Sequence, residues 1–504
     1  MDRTTTGAAV TAQASPAAAG PADGATTGAT APRTTAEAGA RGDPDPLRTA
    51  AARVLHGNWT GASTVPSREL YPHQWSWDSA FIAIGLRHLS PLRAQLELET
   101  LLRAQWADGR VPHIVFNPSV PLDAYFPSPD FWRSATAGRA AGAPGGVQTS
   151  GIVQPPVHAL AAWLVHLADP GLSRARSFLA RLHPRLAAWH RFLLHRRDLG
   201  GAGLAAVVHP WEQGMDNSPC WDAPLSRVPP ARPRTFRRAD LDHGCPRDRP
   251  TDLDYGRYVR LATDYRDRGY GAADRGPHEH RGDFAVEDPA FNALLIASEH
   301  ALARITGELG VAATARHERA ERLTRVLVER LWDPAFGIFR CRDLRAGPAD
   351  GAPVAERGIT GLVPLLLPGL PGDVVTALVR TACGPHFELG GRTRLVPSHD
   401  LLSPAFDARR YWRGPAWINT NWLVERGLRL HGERARADAL RTALLDVATA
   451  SGFSEYVDPY TGSGFGTRGF SWSAALALDL HLDADHASAH HTAGAGRSER
   501  ARHD

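Results

Sequence analysis

Lysine is absent from the 504-residue sequence, and cysteine and methionine are scarce, with four and two residues. The 57 basic residues are therefore all arginine, and they nearly balance 53 acidic residues to a net charge of +4. So small an excess does not indicate a basic surface of the kind that binds nucleic acid, and we expect no nucleic-acid partner. The cysteines form no CxxC pair and have no histidine partners at metal-ligand spacing, so we expect free thiols and no metal site.

Long apolar runs are also missing. The most apolar stretch, residues 359–370, is interrupted by two prolines, and it is shorter than the ~18 residues that a membrane helix needs. The N-terminus lacks a compact leucine-rich core after a basic start, so it does not resemble a secretory signal. We therefore expect no membrane association and a cytoplasmic location.

Composition divides the chain into a core and two tails. Hydrophobic residues make up 43% and charged residues 22% of the sequence, which is typical of a globular protein. Residues 1–45 and 483–504 are rich in small and polar residues, so burial there cannot offset the entropy lost on ordering. We expect two disordered tails around one folded domain, residues 46–482.

Apolar residues recur at helical spacing along this domain, whereas strand-like alternation is rare. The helical segments come in pairs, joined alternately by short turns and by long loops rich in Trp, Tyr, Asp, Gly and Pro. We expect an all-α protein, and the pairing suggests a ring of six inner and six outer helices with functional loops at one end. Residues 224–283 are the least regular part, and we expect a long insertion there. The predicted helical segments are 75–89, 92–106, 153–167, 172–194, 289–307, 311–332, 374–382, 416–431, 435–450 and 470–480.

Several loops combine aromatic rings with carboxylates, which is the pattern expected of a sugar-binding site. The first, YPHQWSWDS, supplies Tyr71, Trp75, Trp77 and Asp78 just before a helix. By itself this segment is equally compatible with Asp78 as a helix cap and the tryptophans as core anchors.

The second loop, HPWEQGMDNSPCWD, holds three carboxylates among three aromatic side chains. A carboxylic acid beside tryptophan rings has its charged form disfavoured, which raises its pKa toward the value that a general acid needs. Asp216 is the strongest candidate, because Gly214 and Pro219 define a turn around it. The alternative is that the Asp216 carboxylate only closes an Asx turn.

The third loop, SGFSEYVDPYTGSGFGTRGFSWS, places Glu455 beside Phe453 and Tyr456, ahead of a glycine-rich turn. A pair of carboxylates from distant loops is the equipment of a glycoside hydrolase. One protonates the leaving oxygen, and the other activates water or attacks the sugar directly. Because the sequence does not give the separation of Asp216 and Glu455, inverting and retaining mechanisms both remain open on the residues alone.

Two further segments resemble walls of the same pocket. RRYWRGPAWINTNW supplies Tyr411, Trp412 and Trp417 at the start of a helix. DGRVPHIVFNP supplies His113, although a single histidine is more often a structural residue than a ligand.

The run RPTDLDYGRY adds Arg249 and Tyr255. On its own this run is typical of an exposed helix start that is capped by Thr251 or Asp252. An arginine in the pocket would suit an acidic substrate, since a guanidinium can bind a carboxylate through two parallel hydrogen bonds.

Taken together, these motifs resemble those of the family 63 glycoside hydrolases, in particular the small bacterial members that cleave mannosylglycerate and glucosylglycerate. The similarity extends over about residues 46–482 and rests on the segments WxWD, GMDNSP, RPTDLDY, YWRGPAW and GFxEYxDPxTGxGxG. The resemblance implies an (α/α)6 barrel and an inverting mechanism. That chemistry needs neither a metal nor an organic cofactor.

The resemblance also implies roles by position. Asp216 matches the general acid and Glu455 the general base, and Asp78 is expected to help place the attacking water. Residues at the matching sugar-binding positions are Tyr71, Trp75, Trp77, Asp78, Trp412 and Trp417. Residues in the segments that resemble the glycerate-recognition loops are Tyr125, Gln154, Arg249, Tyr255 and Tyr411, and His113 is a further substrate-binding candidate.

We therefore expect an inverting hydrolase of a small anionic or neutral α-glycoside, with 2-O-α-D-glucosyl-D-glycerate as the first choice. Mannosylglycerate or a short neutral α-glucoside is the alternative within the family. A sugar isomerase or epimerase fits less well, because no paired-histidine loop accompanies the carboxylates. A non-catalytic sugar-binding protein is disfavoured because both matched carboxylates are present.

Overall fold

A computed structural model describes residues 45–233, 236–242, 246–271, 283–347 and 350–483. Apart from Asp45 and Asp483, the two predicted tails lie outside these residues. Among the described residues, no helix is long and apolar enough to cross a membrane. Cys220, Cys341 and Cys383 are free thiols, as expected, whereas Cys245 lies outside the described residues.

The described chain is mostly helical, as the sequence predicts. Four of the longer helices, α1, α3, α11 and α12, begin after a residue whose side chain caps the first turn, namely Asp45, Ser90, Thr251 and Asp288. The helices are α1 (Pro46–Gly57), α2 (Ser76–Leu86), α3 (Pro91–Arg103), α4 (Pro129–Trp132), α5 (Ser134–Ala137), α6 (His158–Ala168), α7 (Pro170–Ala175), α8 (Phe178–Arg196), α9 (Pro210–Gln213), α10 (Asp222–Ser226), α11 (Asp252–Asp267), α12 (Pro289–Glu308), α13 (Thr314–Leu331), α14 (Gly372–Cys383), α15 (Ile418–Leu430), α16 (Arg434–Ala450) and α17 (residues 471–483). Short 3-10 turns lie at Arg139–Ala141, Pro219–Trp221, Ala239–Leu241, Pro246–Asp248, Ile359–Gly361 and Val363–Leu366.

Every predicted helical segment contains a helix, but two expectations need correction. The segment predicted over 172–194 is divided into α7 and α8, because Ser177 between them adopts a left-handed conformation (φ 53°). The insertion predicted to be irregular over 224–283 contains the 16-residue helix α11. Its buried residues Tyr255, Tyr258, Val259 and Ala262 recur at helical spacing, and the intervening charged residues obscured that pattern.

Helices that follow one another in the sequence pack in pairs, and other helices link these pairs. α2 packs on α3, α12 on α13 and α15 on α16, and in addition α6 packs against both α2 and α12. The turn Val363–Leu366 packs between α12 and α15. Helix α17 meets α2 so closely that a side chain at Gly85 would collide with the backbone of Ala475.

A buried carboxylate joins α17 to its neighbours. Asp479 is fully buried and accepts hydrogen bonds from Trp422 (2.9 Å) and Arg426 (2.6 Å) of α15, and it also pairs with Arg87 next to α2. His88 lies 3.0 Å from the same carboxylate. Although burial opposes ionisation, Arg426 and Arg87 hold the pKa of Asp479 far below its ordinary value. This cluster of ion pairs therefore ties three helices together.

The strands are short and serve to place loops. β3, β4, β7 and β8 form one antiparallel sheet in the order β3-β4-β7-β8, and the remaining strands pair as the hairpins β1-β2, β5-β6 and β9-β10. The strands are β1 (Gln74–Trp75), β2 (Ile114–Val115), β3 (Ala206–Val207), β4 (Val286–Glu287), β5 (Trp332–Asp333), β6 (Ile338–Phe339), β7 (Arg342–Asp343), β8 (Ala352–Pro353), β9 (Tyr456–Val457) and β10 (Gly464–Phe465). Trp75 pairs with Ile114, which brings the first aromatic loop beside His113, and β9 begins directly after Glu455.

Candidate active site

Residues between positions 66 and 472 come together around one cavity of about 770 Å³, a volume that includes its opening to solvent. Loops that precede α2, α6 and α17 supply its walls, together with the loop that follows α9 and the start of α11. The predicted site residues that line the cavity are Tyr71, Trp75, Trp77, Asp78, His113, Tyr125, Gln154, Asp216, Arg249, Tyr255, Tyr411 and Glu455.

A tight turn positions Asp216. Helix α9 ends at Gly214, whose positive φ of 83° starts the turn and whose Cα faces the ring of Trp77. The carbonyl group of Met215 then accepts hydrogen bonds from the backbone amide of Ser218 (3.0 Å) and from the indole of Trp221 (2.7 Å). Because the Ser218 amide is used in this way, the backbone closes the turn, and the Asp216 carboxylate is directed to the cavity.

The environment of Asp216 favours the protonated acid. Burial raises the pKa of its carboxyl group to about 7, although the positive charge of Arg249 acts in the opposite direction. The negative charges of Asp240 and Glu455 add to the rise. A carboxyl group that keeps its proton near neutral pH is suited to act as a general acid.

Glu212, in the same loop, has a structural role. It is fully buried and accepts hydrogen bonds from two nitrogens of Arg197, at 2.5 and 2.8 Å. The backbone amides of Val153 (3.3 Å) and Val208 (2.8 Å) donate to it as well. Glu212 therefore fixes the loop from behind and does not line the cavity.

Two hydrogen-bond donors and one cation surround Glu455, whose side chain is 1% exposed. The hydroxyl group of Tyr71 donates to Oε1 at 2.8 Å, and the backbone amide of Thr467 donates to Oε2 at 3.3 Å. Arg249 Nη2 lies 3.8 Å from Oε2. Burial raises the pKa of Glu455, whereas Arg249 and the Tyr71 hydrogen bond limit that rise. The donors thus favour a carboxylate that can accept a proton.

Arg249 connects Glu455 to the tyrosines of the wall. Its Nη1 donates to the Tyr71 hydroxyl at 3.1 Å, and its guanidinium carbon lies 4.7 Å from the centre of the Tyr411 ring. The backbone amide of Tyr411 donates to the carbonyl group of Asp248 at 2.8 Å, which fastens the two loops to each other. Arg249 is only 5% exposed, so its remaining hydrogen-bonding capacity is directed into the protein and the cavity.

The first turn of α2 carries Asp78. The cap residue of this helix is Trp75, and the free backbone amide of Trp77 is satisfied by Oε1 of Gln154 at 3.2 Å. Asp78 is therefore not needed as the cap. Burial, together with the nearby charge of Glu455, raises the pKa of Asp78 well above its ordinary value.

Trp412 and Trp417 are not among the residues that line this cavity. Their rings stack on each other at 3.7 Å with an interplanar angle of 2°, and both are 1% exposed. Trp417 in turn contacts the Tyr411 ring edge-on, at 5.1 Å between centroids. In this structure the two tryptophans support the wall residue Tyr411 from behind.

His113 is held as a neutral ring in the cavity wall. Burial lowers its pKa to about 3, and its Nδ1 atom lies 3.2 Å from the hydroxyl group of Ser150. The ring stacks on Trp211 with centroids 6.5 Å apart. Such a histidine can exchange hydrogen bonds with sugar hydroxyl groups but carries no charge at neutral pH.

The structure also places residues in the cavity wall that were not selected from the sequence motifs. Trp211 and Trp472 lay within the quoted loops, so their aromatic character was the available signal. Asp240 had no such signal, because it lies in the arginine-rich stretch before Arg249 that was interpreted as an insertion. The lining residues that were not selected are Pro66, Leu70, Trp211, Gly214, Asp240, Pro250, Phe470 and Trp472.

Comparison with known proteins agrees with this geometry. Residues 71–473 match the family model of the mannosylglycerate hydrolase MGH1-like glycoside hydrolase domain. Mannosylglycerate hydrolase from Thermus thermophilus is 43% identical over 436 residues, which cover 85% of this chain and 99% of that protein. Glucosylglycerate hydrolase from Mycolicibacterium hassiacum is 39% identical over 452 residues, covering 86% of this chain and 98% of that protein.

The fold is similar as well. The crystal structure of a GH63 mannosylglycerate hydrolase from Thermus thermophilus in complex with Tris and D-glycerate superposes with a TM-score of 0.77 at 41% identity, covering 86% of this chain and all of that one. The complex of the same enzyme with glucose superposes with a TM-score of 0.75. The helical fold, the aromatic cavity that contains Asp216 and Glu455, and these matches together identify the protein as a glycoside hydrolase. The chain belongs to glycoside hydrolase family 63, within the MGH1-like group of mannosylglycerate and glucosylglycerate hydrolases.

Proposed function

We propose that this protein is an inverting hydrolase of a 2-O-α-D-glycosyl-D-glycerate. The observation that carries the proposal is that two carboxyl groups, Asp216 and Glu455, line one aromatic cavity. Burial raises the pKa of Asp216 to about 7 and also raises the pKa of Glu455, which accepts hydrogen bonds from Tyr71 and Thr467 and lies beside Arg249. Two such groups can divide the work of an acid and a base.

Asp216 is the general acid. As the bond between the sugar and glycerate breaks, negative charge develops on the leaving oxygen, and the Asp216 proton neutralises it. Burial disfavours the charged form of Asp216 before the reaction, and its effect on the pKa outweighs the opposing effects of the Asp216 backbone amide and of Arg249.

Glu455 is the general base. It removes a proton from a water molecule that attacks the anomeric carbon from the face opposite the leaving group, so that the configuration is inverted. The raised pKa of Glu455 makes it a stronger base than an ordinary glutamate, and the Tyr71 and Thr467 donors keep its oxygens in place. Asp78, whose charge is coupled to that of Glu455, is placed to orient the same water.

The helices support an (α/α)6 barrel around this site. The order α2, α6, α12, Val363–Leu366, α15 and α17 runs through successive contacts, and α17 meets α2 again at Gly85 and through the Arg87–Asp479 pair. That circuit corresponds to a closed inner ring. The helices α1, α3, α8, α13, α14 and α16 are its outer partners.

The aglycone side of the cavity suits an anion. Arg249 is a buried cation of the wall, and Tyr71 and Tyr411 beside it supply hydroxyl groups. A glycerate carboxylate can form hydrogen bonds with the Arg249 guanidinium and so weaken the ion pair between Arg249 and Glu455. The D-glycerate bound by the related Thermus thermophilus enzyme supports the same class of ligand.

The preferred sugar is proposed to be mannose. The sequence motifs favoured glucosylglycerate, but the similarity to mannosylglycerate hydrolases supports the other epimer better. Glucosylglycerate is the second candidate because a glucosylglycerate hydrolase is nearly as similar. The two sugars differ only in the orientation of the C2 hydroxyl group.

Proton NMR tests the proposal directly. The purified enzyme is mixed separately with mannosylglycerate and glucosylglycerate, and the anomeric signals are followed from the first minutes. Initial release of the β-anomer together with glycerate is the expected result, with faster turnover of mannosylglycerate. Initial release of the α-anomer would contradict inversion, and faster turnover of glucosylglycerate would reverse the choice of sugar. No turnover of either, by a folded protein, would overturn the proposed function.

A further inference from the structure

We propose that Asp240 is a specificity-determining residue that accepts a hydrogen bond from the C3 hydroxyl group of the glycerate aglycone. This inference rests on the proposed function and extends it to a residue outside every motif that carries the family resemblance. Asp240 lies in the 3-10 turn Ala239–Leu241 and lines the cavity together with Asp216, Tyr125 and Tyr255.

A rigid clamp holds the Asp240 carboxylate in place. Arg238 donates to both of its oxygens, with Nη2 at 2.6 Å from Oδ2 and Nε at 3.2 Å from Oδ1. Arg238 is itself fixed, because Nη1 donates to the carbonyl group of Pro250 (2.8 Å) and the guanidinium lies 4.4 Å from the centre of the Tyr255 ring. Asp240 is therefore anchored to α11 and does not behave as a free surface acid.

The clamp leaves Asp240 with unused acceptor capacity. An ionised carboxylate has about four lone-pair positions, and Arg238 occupies two of them from one side. Since the group is acceptor-only, only a hydrogen-bond donor can pair with the positions that Arg238 leaves free. A hydroxyl group can be that donor, whereas a carboxylate or an ether oxygen cannot.

Asp240 and Arg249 carry opposite charges in the same cavity, and different neighbours hold each of them in position. Arg249 contacts Tyr71, Tyr411 and Glu455, whereas Asp240 is held by Arg238 beside Tyr255. Asp240 lines the cavity together with the proposed acid Asp216, and its negative charge, in addition to burial, raises the pKa of Asp216. Glycerate carries a carboxylate and a hydroxymethyl group on the same carbon. Attraction to Arg249 and repulsion by Asp240 then orient these two groups.

The test combines a change in the enzyme with a change in the substrate. The substrates are the α-glycosides of D-glycerate and of D-lactate, which differ only by the C3 hydroxyl group, each with the sugar that the wild type prefers. Wild type, Asp240→Ala and Asp240→Asn are compared by kcat/KM for both substrates. A cycle of this kind isolates the interaction between Asp240 and the hydroxyl group from general damage to the site.

We expect wild type to favour the glycerate conjugate by about 10- to 100-fold, the range for a hydrogen bond to a charged group. In Asp240→Ala the preference should fall below about 5-fold, because the loss of kcat/KM on the glycerate conjugate exceeds any loss on the lactate conjugate. Asp240→Asn keeps an acceptor oxygen but loses the charge, so its preference should lie between the other two. An equal loss of kcat/KM on both substrates would overturn the inference and leave Asp240 with a structural role.

Asp242→Asn is the matched control, because Asp242 is in the same loop, pairs with Arg237 and does not line the cavity. It should retain the wild-type preference, and a loss of preference there would also overturn the inference. Melting temperatures of all variants identify any that fail to fold. Active wild type with an unchanged preference in Asp240→Ala contradicts this inference alone, whereas inactive wild type contradicts the proposed function and the inference with it.

Discussion

The hydroxyl group of Tyr71 lies 2.8 Å from Oε1 of Glu455, although 384 positions separate the two residues in the sequence. The same hydroxyl accepts a hydrogen bond from Arg249, so its own proton is directed to the carboxylate. A donor that is oriented in this way stabilises the ionised form of Glu455. The first and last loops of the domain are thus joined at the cavity.

Asp216→Asn and Glu455→Gln should each reduce kcat by about 10²- to 10⁴-fold, because each removes one proton transfer from the reaction. Both variants should remain folded, as judged by circular dichroism, since each new side chain has nearly the same shape as the one it replaces and keeps an acceptor oxygen. Glu212→Gln is the comparison, because it breaks the buried pair with Arg197. It should lower the melting temperature while retaining more activity than Asp216→Asn at low temperature. A greater loss of activity in Glu212→Gln would mean that Asp216 is not the acid.

The alkaline side of the pH profile should report Asp216. Its pKa is about 7 in the folded protein, so kcat/KM should fall as the pH rises through about 7 and the acid loses its proton. A profile that stays flat up to about pH 9 would contradict this assignment.

The same pKa has a consequence for stability. The folded-state pKa of Asp216 is raised above the value of 3.8 of an ordinary aspartate, so ionisation destabilises the fold increasingly between about pH 4 and pH 7. Asp216→Asn removes that cost and should melt roughly 2–4 °C above wild type at pH 8. At pH 4 the two proteins should melt at similar temperatures. If Asp216→Asn is less stable than wild type at pH 8, burial of the ionised Asp216 carboxylate does not destabilise the fold.

Tyr71→Phe should shift the acidic side of the pH profile. The Tyr71 hydrogen bond lowers the pKa of Glu455, so its removal raises that pKa and the base becomes protonated at a higher pH. We expect the loss of kcat/KM at about pH 5 to exceed the loss at about pH 7 by roughly 10-fold. A uniform loss across the profile would indicate that Tyr71 only fills space.

Arg249→Ala should discriminate between charged and neutral substrates. It removes the buried cation that is proposed to bind the carboxylate, so KM for the glycerate conjugate should rise by about 10- to 100-fold. KM for a neutral methyl α-glycoside should change far less, although kcat for both should fall because Arg249 also contacts Glu455. Equal increases in KM for the two substrates would exclude a direct role in carboxylate binding.

Gly214→Ala should damage the site more than the fold. Gly214 has a φ of 83°, and a methyl group there would lie 2.6 Å from the Trp77 ring, so the Asp216 turn must move. We expect kcat to fall by about 10²-fold, the size expected for a misplaced catalytic group. Gly307→Ala is the control, because Gly307 lies in α12 with open space around it. It should retain full activity and melt slightly higher than wild type. Normal kcat in Gly214→Ala would show that the turn is not needed in its present form.

Residue patterns along the chain were sufficient for most of the long helices, though not for α1 and α11, and for most of the cavity wall. Helices bury one side, and that burial leaves apolar residues at a regular spacing, as in α12 and α15. The loops could be selected because aromatic rings beside carboxylates are unusual in plain connections. The resemblance to family 63 then assigned Asp216 and Glu455 before any geometry was available.

Tertiary contacts decided what local sequence does not encode. Trp412 and Trp417 were predicted to hold the sugar, but in the structure both rings are buried, stack on each other and do not line the cavity. Glu212 and Asp216 look alike in sequence, but Glu212 is paired with the buried Arg197, whereas Asp216 lines the cavity.

Asp240 shows the same division. Its sequence context, arginine and aspartate without a regular pattern, predicts an exposed loop. The cavity position arises because Arg238 joins Asp240 to Pro250 and Tyr255, contacts that depend on the packing of α11. The sequence by itself therefore determined the helical class, the family and the two candidate reactive carboxyl groups. The tertiary structure decided which charges meet in the cavity, because burial and long-range pairing set the pKa and orientation of each group.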